Sequence, residues 1–292
     1  MQPGHVDCAA APPGFPPMSL SRPGMLHVVA TPIGHRDDIS ARAIETLRRV
    51  KVIAAEDTRH TRPLLQHLGI DTPLVALHDH NERTAVDGLV ERMRAGDDVA
   101  LVSDAGTPLI SDPGFRLVRA VRAAGLRVSP VPGASAVVAA LSVAGLPSDR
   151  FIFEGFLSAK AGARRSRLGE LAGESRTLIF YESSHRIVES LEDMRDTFGP
   201  DREAVIAREL TKMFETVLDG PLAGLVERVT ADPNQQKGEF VVMVAGREEG
   251  EDERLAEGLR VFAILKDELP PAKAAKMAAA ITGAPRKALY GS

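Results

Sequence analysis

The segment VSDAGTPLISDPG, residues 102–114, sets two carboxylates, Asp104 and Asp112, among glycines and prolines, between an apolar run and an amphipathic one. Glycine lets backbone approach a ligand because it lacks a Cβ, and proline fixes a turn before any ligand arrives. Such a segment reads as a pocket lined by main chain. TPIG (31–34) and PGASA (132–136) have the same character. None of the three carries the glycine spacing of a dinucleotide fingerprint or a P-loop. A G-x-S-x-G elbow and the nucleobase-deaminase signature are also absent from the chain. Two aspartates would repel a phosphate and attract a sulfonium or an amine. Asp104 reads as a ligand contact or a local cap in equal measure, and Asp112, before Pro113 and Gly114, as a cap of nearby N–H groups.

Charged clusters supply the remaining candidates. AEDTRHT (55–61) brings Glu56 and Asp57 to the end of an apolar run, where Asp57 or Thr58 also suits the cap of a following helix. HDHNE (78–82) gathers His78, His80 and two carboxylates, but no third ligand stands at a known spacing, so no metal is expected. FYESSHR (180–186), ARELTK (207–212) and KGEF (237–240) turn abruptly from apolar to charged, as substrate groups at a crevice or as ion-paired edges. SAKAGARRSR (158–167) holds Lys160, Arg164, Arg165 and Arg167 without an acidic residue, which suits a polyanion or a solvated face.

These segments need elements to position them. From Met25, β-branched runs alternate with helical periods: strands at 26–30, 51–57, 73–78, 97–103 and 127–131, helices at 39–50, 61–69, 81–96, 115–125 and 134–145. That alternation predicts a mostly parallel sheet covered on both faces, whose ligands sit outside the carboxyl ends of the strands. LPSDR (146–150) reads as a joint, so the first α/β domain is expected over 25–145. Strand-like FIFEGFL, RTLIFYES, EAVIARELT and GEFVVMVAG, with helices at 185–199 and 220–232, form a second α/β domain over 146–246. An acidic linker opens the 247–292 tail, which reads as a small helix-turn-helix or as an accessory helical cap. Residues 1–24, rich in Pro and Gly, read as a disordered leader, with Met25 as an alternative start.

Composition narrows the classes. A chain of 292 residues, 44% hydrophobic, can bury two cores. No apolar run approaches the ~20 residues of a membrane span, and no secretory h-region is evident, so a cytoplasmic location is expected. One cysteine, Cys8, allows neither a disulfide framework nor a cysteine-ligated zinc. A net charge of -4 neither announces nor excludes a nucleic acid, because phosphate binding follows local patches. With no Trp and two Tyr, an extended aromatic platform for single strands is not expected.

In their order along the chain, TPIG, AAEDTRHT, LHDHNE, LVSDAGTPLISDPG, PGASA, LPSDRFIFEGFL, FYESSHR, ARELTK and KGEF closely resemble the ribosomal small subunit methyltransferase I family. That family is a branch of the tetrapyrrole methylases, the class III S-adenosylmethionine (AdoMet) methyltransferases. The resemblance spans about residues 25–246, and the tail is similar to the family's C-terminal helix-turn-helix. It implies two α/β domains with AdoMet between them, a small helical tail, a homodimer, and methylation of the ribose 2′-oxygen of one cytidine in 16S ribosomal RNA of the 30S subunit. Carried over by motif, the AdoMet contacts are Thr31, Pro32, Asp104, Gly106, Thr107, Ser135, Ala136, Tyr181, Leu210 and Glu239. Glu56, Asp57, His80, Glu182, Arg208 and Lys212 are the candidates for the base or polarising cation that a 2′-hydroxyl requires. Lys160, Arg164, Arg165 and Arg167 are the expected RNA contacts. TPIG stands where tetrapyrrole enzymes carry a glycine-rich G-x-G-P-G turn, which favours the RNA branch. A tetrapyrrole-precursor methylase of the same fold and a non-catalytic ribosome-assembly RNA-binding protein remain the alternatives.

Overall fold

The computed structural model describes residues 22–78, 82–248 and 250–290. The expected leader up to residue 21 and the candidate His80 therefore lie outside the described residues. The chain divides into two compact units, one reaching Pro32 and resuming over Arg36–Ala134, the other formed by Ile33–His35 and everything from Ser135.

In the first unit, β1 (Met25–Val29), β2 (Val52–Ala55), β3 (Leu74–Ala76), β4 (Val99–Val102) and β5 (Arg127–Val131) form an all-parallel sheet in the order β3-β2-β4-β1-β5. Continuous apolar runs such as VIAA and VALV are buried at every position, as central strands covered on both faces require. Helices α1 (Ala41–Arg49) and α2 (Thr58–His67) cover one face through Ala43, Leu47 and Leu65. Helices α3 (Glu82–Arg94) and α4 (Phe115–Ala123) cover the other through Leu89, Met93, Leu117 and Val121. Neighbouring strands β1 and β4 thus feed helices on opposite faces. Their carboxyl ends flank a topological switch point, where open parallel sheets bind ligands.

The second unit begins with α5 (Ala136–Val143), and here the expected boundary moves. The sequence placed this helix before the joint at 146–150, yet its Val137 and Ala140 pack with Ile179, Val205, Val241 and Met243 of the second sheet. AVVAALSV is apolar almost all round, so nothing in it marks which sheet it covers. Strands β6 (Phe151–Phe156), β7 (Thr177–Ser183), β8 (Glu203–Arg208), β9 (Thr216–Pro221) and β10 (Glu239–Val244) pair in the order β6-β7-β10-β8-β9. Only β6 and β7 run parallel; the other pairs are antiparallel. Helices α6 (Ala161–Leu171), α7 (Ile187–Phe198) and α8 (Leu222–Ala231) cover the face opposite α5. The sequence reading lacked β9. It is an edge strand that alternates half-buried with exposed residues and ends in Gly-Pro, which an edge tolerates.

The tail folds as α9 (Glu251–Leu265), α10 (Pro271–Thr282) and α11 (Arg286–Tyr290), closed around Ala275, Ala278, Ala284 and Leu289. Pro271 opens α10 and Gly283 closes it in the left-handed conformation. Among the described residues no helix is long and apolar enough to cross a membrane.

Candidate active site

All three Gly/Pro segments leave the carboxyl ends of adjacent strands. TPIG follows β1, DAGTPLISDPG follows β4 and PGASA follows β5, with β1 central among them. The turns are tied together. The Thr31 N–H donates to the Gly106 carbonyl at 2.9 Å, and its hydroxyl lies 3.4 Å from the carbonyls of Ser103 and Gly106. Thr107 Oγ1 donates to the Ala134 carbonyl at 2.9 Å. Gly106 sits at φ +80°, where a Cβ is penalised.

Asp104 stands at this rim, half exposed. One carboxylate oxygen accepts the Asp57 N–H at 3.1 Å and the other lies 3.0 Å from His60 Nδ1. Asp112, assigned to capping from sequence, has a different environment. Burial first, and then the charges of Glu56 and Asp104, push its carboxyl up to about 6, against an opposing hydrogen bond from Ser103. It holds a proton into the range where a general base works. A lone Asp-Pro-Gly gives no sign of this, because the main cause is burial in the folded chain, with the charges of Glu56 and Asp104 adding to it.

In the second unit, the residues of ARELTK form a clamped turn. Arg208, buried, donates Nε to the Lys237 carbonyl at 2.7 Å and Nη1 to the Phe214 carbonyl at 2.9 Å and to Thr216 Oγ1 at 3.2 Å. Lys212 Nζ donates to Glu209 at 2.9 Å and to Glu239 at 2.8 Å. Burial works against the Lys212 charge, but these two carboxylates outweigh it and raise its pKa. The end of TPIG packs here: the His35 N–H donates to Thr211 Oγ1 at 3.0 Å, and a Cβ on Gly34 would lie 2.6 Å from that same oxygen. Leu210 packs at the edge of the α5 cluster.

Among the described residues, the non-glycine positions at positive φ are Leu109, Ser111, Glu209 and Thr211. They fall in two of the quoted segments, DAGTPLISDPG and ARELTK. Each such residue costs on the order of 1–3 kcal/mol and persists where the surroundings over-determine it, which is the habit of ligand-binding turns.

Several candidates are engaged in structural contacts. Asp57 caps α2 through the Arg59 N–H at 2.8 Å and pairs with the Arg59 guanidinium, whose hydrogen bonds hold its carboxyl far below the usual range. Glu182 is 2% exposed and accepts from the Ser183 N–H, from Ser190 Oγ at 2.6 Å and from Arg186 at 2.8 Å. Those bonds account for its burial as a charged group. Arg208 is held by backbone carbonyls, and Lys212 keeps its proton between two carboxylates, so of the two roles the sequence offered them the polarising cation, not the base, suits both. Glu56 remains, on the rim between β2 and α2.

The basic stretch is also reduced. The helical period of α6 turns Arg164 inward, where its side chain is 2% exposed and pairs with Asp193 at 2.6 Å. Arg167 binds Glu154 at 2.8 Å and Glu170 at 2.6 Å, and Arg165 lies 3.6 Å from Asp193. Lys160 is exposed and has no ion pair among the described residues. Tyr181, half-buried, packs edge-on to Phe153 with ring centroids 4.9 Å apart. Ser135 precedes α5 and Ala136 begins it.

Residues 25–226 match the family of Tetrapyrrole (Corrin/Porphyrin) Methylases, and residues 252–291 match the RsmI C-terminal HTH domain. The chain is 63% identical over 272 residues to the Ribosomal RNA small subunit methyltransferase I of Xylella fastidiosa (strain Temecula1), covering 93% of this chain and 100% of that one. It is 61% identical to the protein of the same name from Pseudomonas aeruginosa, covering 91% and 95%. The crystal structure of the methyltransferase CobJ superposes with a TM-score of 0.57 at 22% identity, over 78% of this chain and 97% of that one. The chain belongs to the tetrapyrrole methylases, and within them to the ribosomal RNA small subunit methyltransferase I family, whose members use AdoMet.

Proposed function

We propose that this protein transfers the methyl group of AdoMet to the ribose 2′-oxygen of a cytidine in 16S ribosomal RNA. The names of its relatives support the small-subunit RNA as substrate. The site observation that carries the reading is the confinement, among the described residues, of non-glycine positive φ to the turns after β4 and β8, Leu109 and Ser111 in one, Glu209 and Thr211 in the other.

The residues fit AdoMet. Asp104 offers a half-exposed carboxylate, already fixed by Asp57 and His60, that complements a cationic amino acid. In this reading Thr31, Pro32, Gly106 and Thr107 contribute main-chain contacts from the first unit's turns, and Ser135, Ala136, Tyr181, Leu210 and Glu239 keep the donor contacts that the family resemblance implies. Bound AdoMet supplies an electrophilic methyl on a sulfonium. The chain must hold donor and acceptor in line and keep water out, since orientation provides much of the acceleration in such a transfer. A ribose hydroxyl is a weak nucleophile that needs a proton acceptor. Among the described residues, Asp112, raised to about 6, and the adjacent charge of Glu56 are the acceptors this reading favours over Asp57 and Glu182, whose carboxylates are engaged in hydrogen bonds, while Arg208 and Lys212 suit a polarising cation.

We further infer a cytoplasmic homodimer acting on the 30S subunit. Met213 and Phe214, 90% and 66% exposed at the tip of a clamped turn, support a surface that is covered in the working enzyme. Incubation with tritiated AdoMet and small subunits from cells lacking the activity tests the reading. Label should resist alkaline cleavage as a 2′-O-methylated dinucleotide. Label on a base, or transfer only to a tetrapyrrole precursor, would refute it.

A further inference from the structure

Strand β6 contains a register shift between Phe153 and Gly155: Phe153 pairs with Ile179, Gly155 with Phe180, and Phe156 with Tyr181. Glu154 is the extra residue, and Gly155 takes φ +66°. In a regular strand Phe153 and Phe156 would point to opposite faces. The bulge restores Phe156 to the face of Phe153 and Tyr181, an established use of bulges to re-aim a side chain. Phe156 lies 5.5 Å, centroid to centroid, from the Tyr181 ring, tilted by 60°, and is nevertheless 55% exposed. Packing alone does not explain a bulge that turns a phenyl ring toward solvent.

The segment after this ring is held in place. Arg186 donates Nη1 to the Leu157 carbonyl at 2.9 Å and is itself fixed by Glu182 at 2.8 Å. Three residues on stands Lys160, the exposed cation of this unit's basic stretch that has no acidic partner among the described residues. An aromatic face backed by further rings, followed by an exposed cation, is complementary to a chain that alternates bases with phosphates. We propose that Phe156, supported by Tyr181 and Phe153, is the platform on which a nucleobase of the RNA substrate stacks, with Lys160 taking an adjacent phosphate. The assignment rests on the RNA reading above and adds a positioning residue to it.

The test measures methyl transfer to small subunits for Phe156→Ala, Phe156→Leu and Phe156→Trp, with AdoMet affinity by calorimetry and mass by light scattering. Base stacking on one aromatic ring predicts that kcat/KM for the subunit falls by about five- to a hundredfold in the Ala and Leu variants. The Trp variant should recover it, because it restores a π-face, while AdoMet affinity and mass stay at the parent values. Unchanged transfer in Phe156→Ala would overturn the proposal. So would an equal loss of AdoMet affinity, which would give the ring to the cofactor, or a change of mass, which would give it to a second copy of the chain. Full retention of transfer by Phe156→Leu would reduce the ring to apolar bulk and also refute stacking. If the parent enzyme binds AdoMet yet leaves small subunits unmethylated, the RNA reading itself fails, and this assignment with it.

Discussion

The backbone N–H of Thr31 donates to the carbonyl of Gly106 at 2.9 Å, so the turn after β1 is fastened to the turn after β4 where the helices diverge to opposite faces. Neither turn is shaped by its own sequence alone. The rim is a single hydrogen-bonded unit, and a change in one turn should be felt in the other.

Gly106→Ala places a Cβ on a residue at φ +80°. The left-handed penalty predicts a loss of about 1–2 kcal/mol in denaturant unfolding, together with weaker AdoMet binding because the Thr31 contact shifts. Parent-like values in both measurements would show that this turn neither is strained nor lines the donor site.

Asp104→Asn keeps the shape of the side chain and removes its charge. Calorimetric titration should show AdoMet affinity reduced about tenfold, or ~1.4 kcal/mol, with the circular dichroism spectrum intact. Unaltered affinity would move the donor's amino group away from Asp104.

Asp112 gives a pH signature. Its folded carboxyl holds a proton up to about 6, above the ordinary 3.8 of the unfolded chain, with burial as the main cause. The unfolded state loses that proton first, so stability from this group is full below about 3.8 and declines as pH rises through about 6. Asp112→Asn should therefore match the parent at pH 4 and exceed it above pH 7 by about 1 kcal/mol, a figure reduced for solvent screening. Urea melts at several pH values check this; a difference independent of pH would contradict it. If Asp112 accepts the substrate proton, the stabilised variant also loses methyl transfer.

Two neighbours in the basic stretch should behave oppositely. Arg164→Ala leaves Asp193 without its buried partner and should cost about 3–5 kcal/mol of stability. Lys160→Ala should change stability by less than about 0.5 kcal/mol while raising KM for the RNA substrate. Thermal melts and transfer kinetics on the two variants separate the roles, and equal effects on KM would return Arg164 to the RNA surface.

Much of this was legible in the sequence because local rules decide it. Unbroken runs such as VIAA and VALV have to be central strands, and Gly/Pro turns after such strands have to lie along one edge of a parallel sheet. What escaped depends on partners distant along the chain. Glu182 and Arg164 look like surface charges until their helical and strand periods bring them to Ser190 and Asp193. The fate of α5 was hidden by its uniform apolarity, and β9 by its edge position. An aromatic-poor composition argued against an extended aromatic platform, and nothing in it showed that one inserted residue in β6 gathers Phe153, Phe156 and Tyr181 on one face.

The central claim, methylation of a ribose in 16S RNA, is tested most directly by mass spectrometry of nucleosides from small subunits of cells with and without this gene. The account predicts that one 2′-O-methylcytidine disappears on deletion and returns with the intact gene but not with Asp104→Asn. Identical nucleoside profiles in the two strains would contradict it.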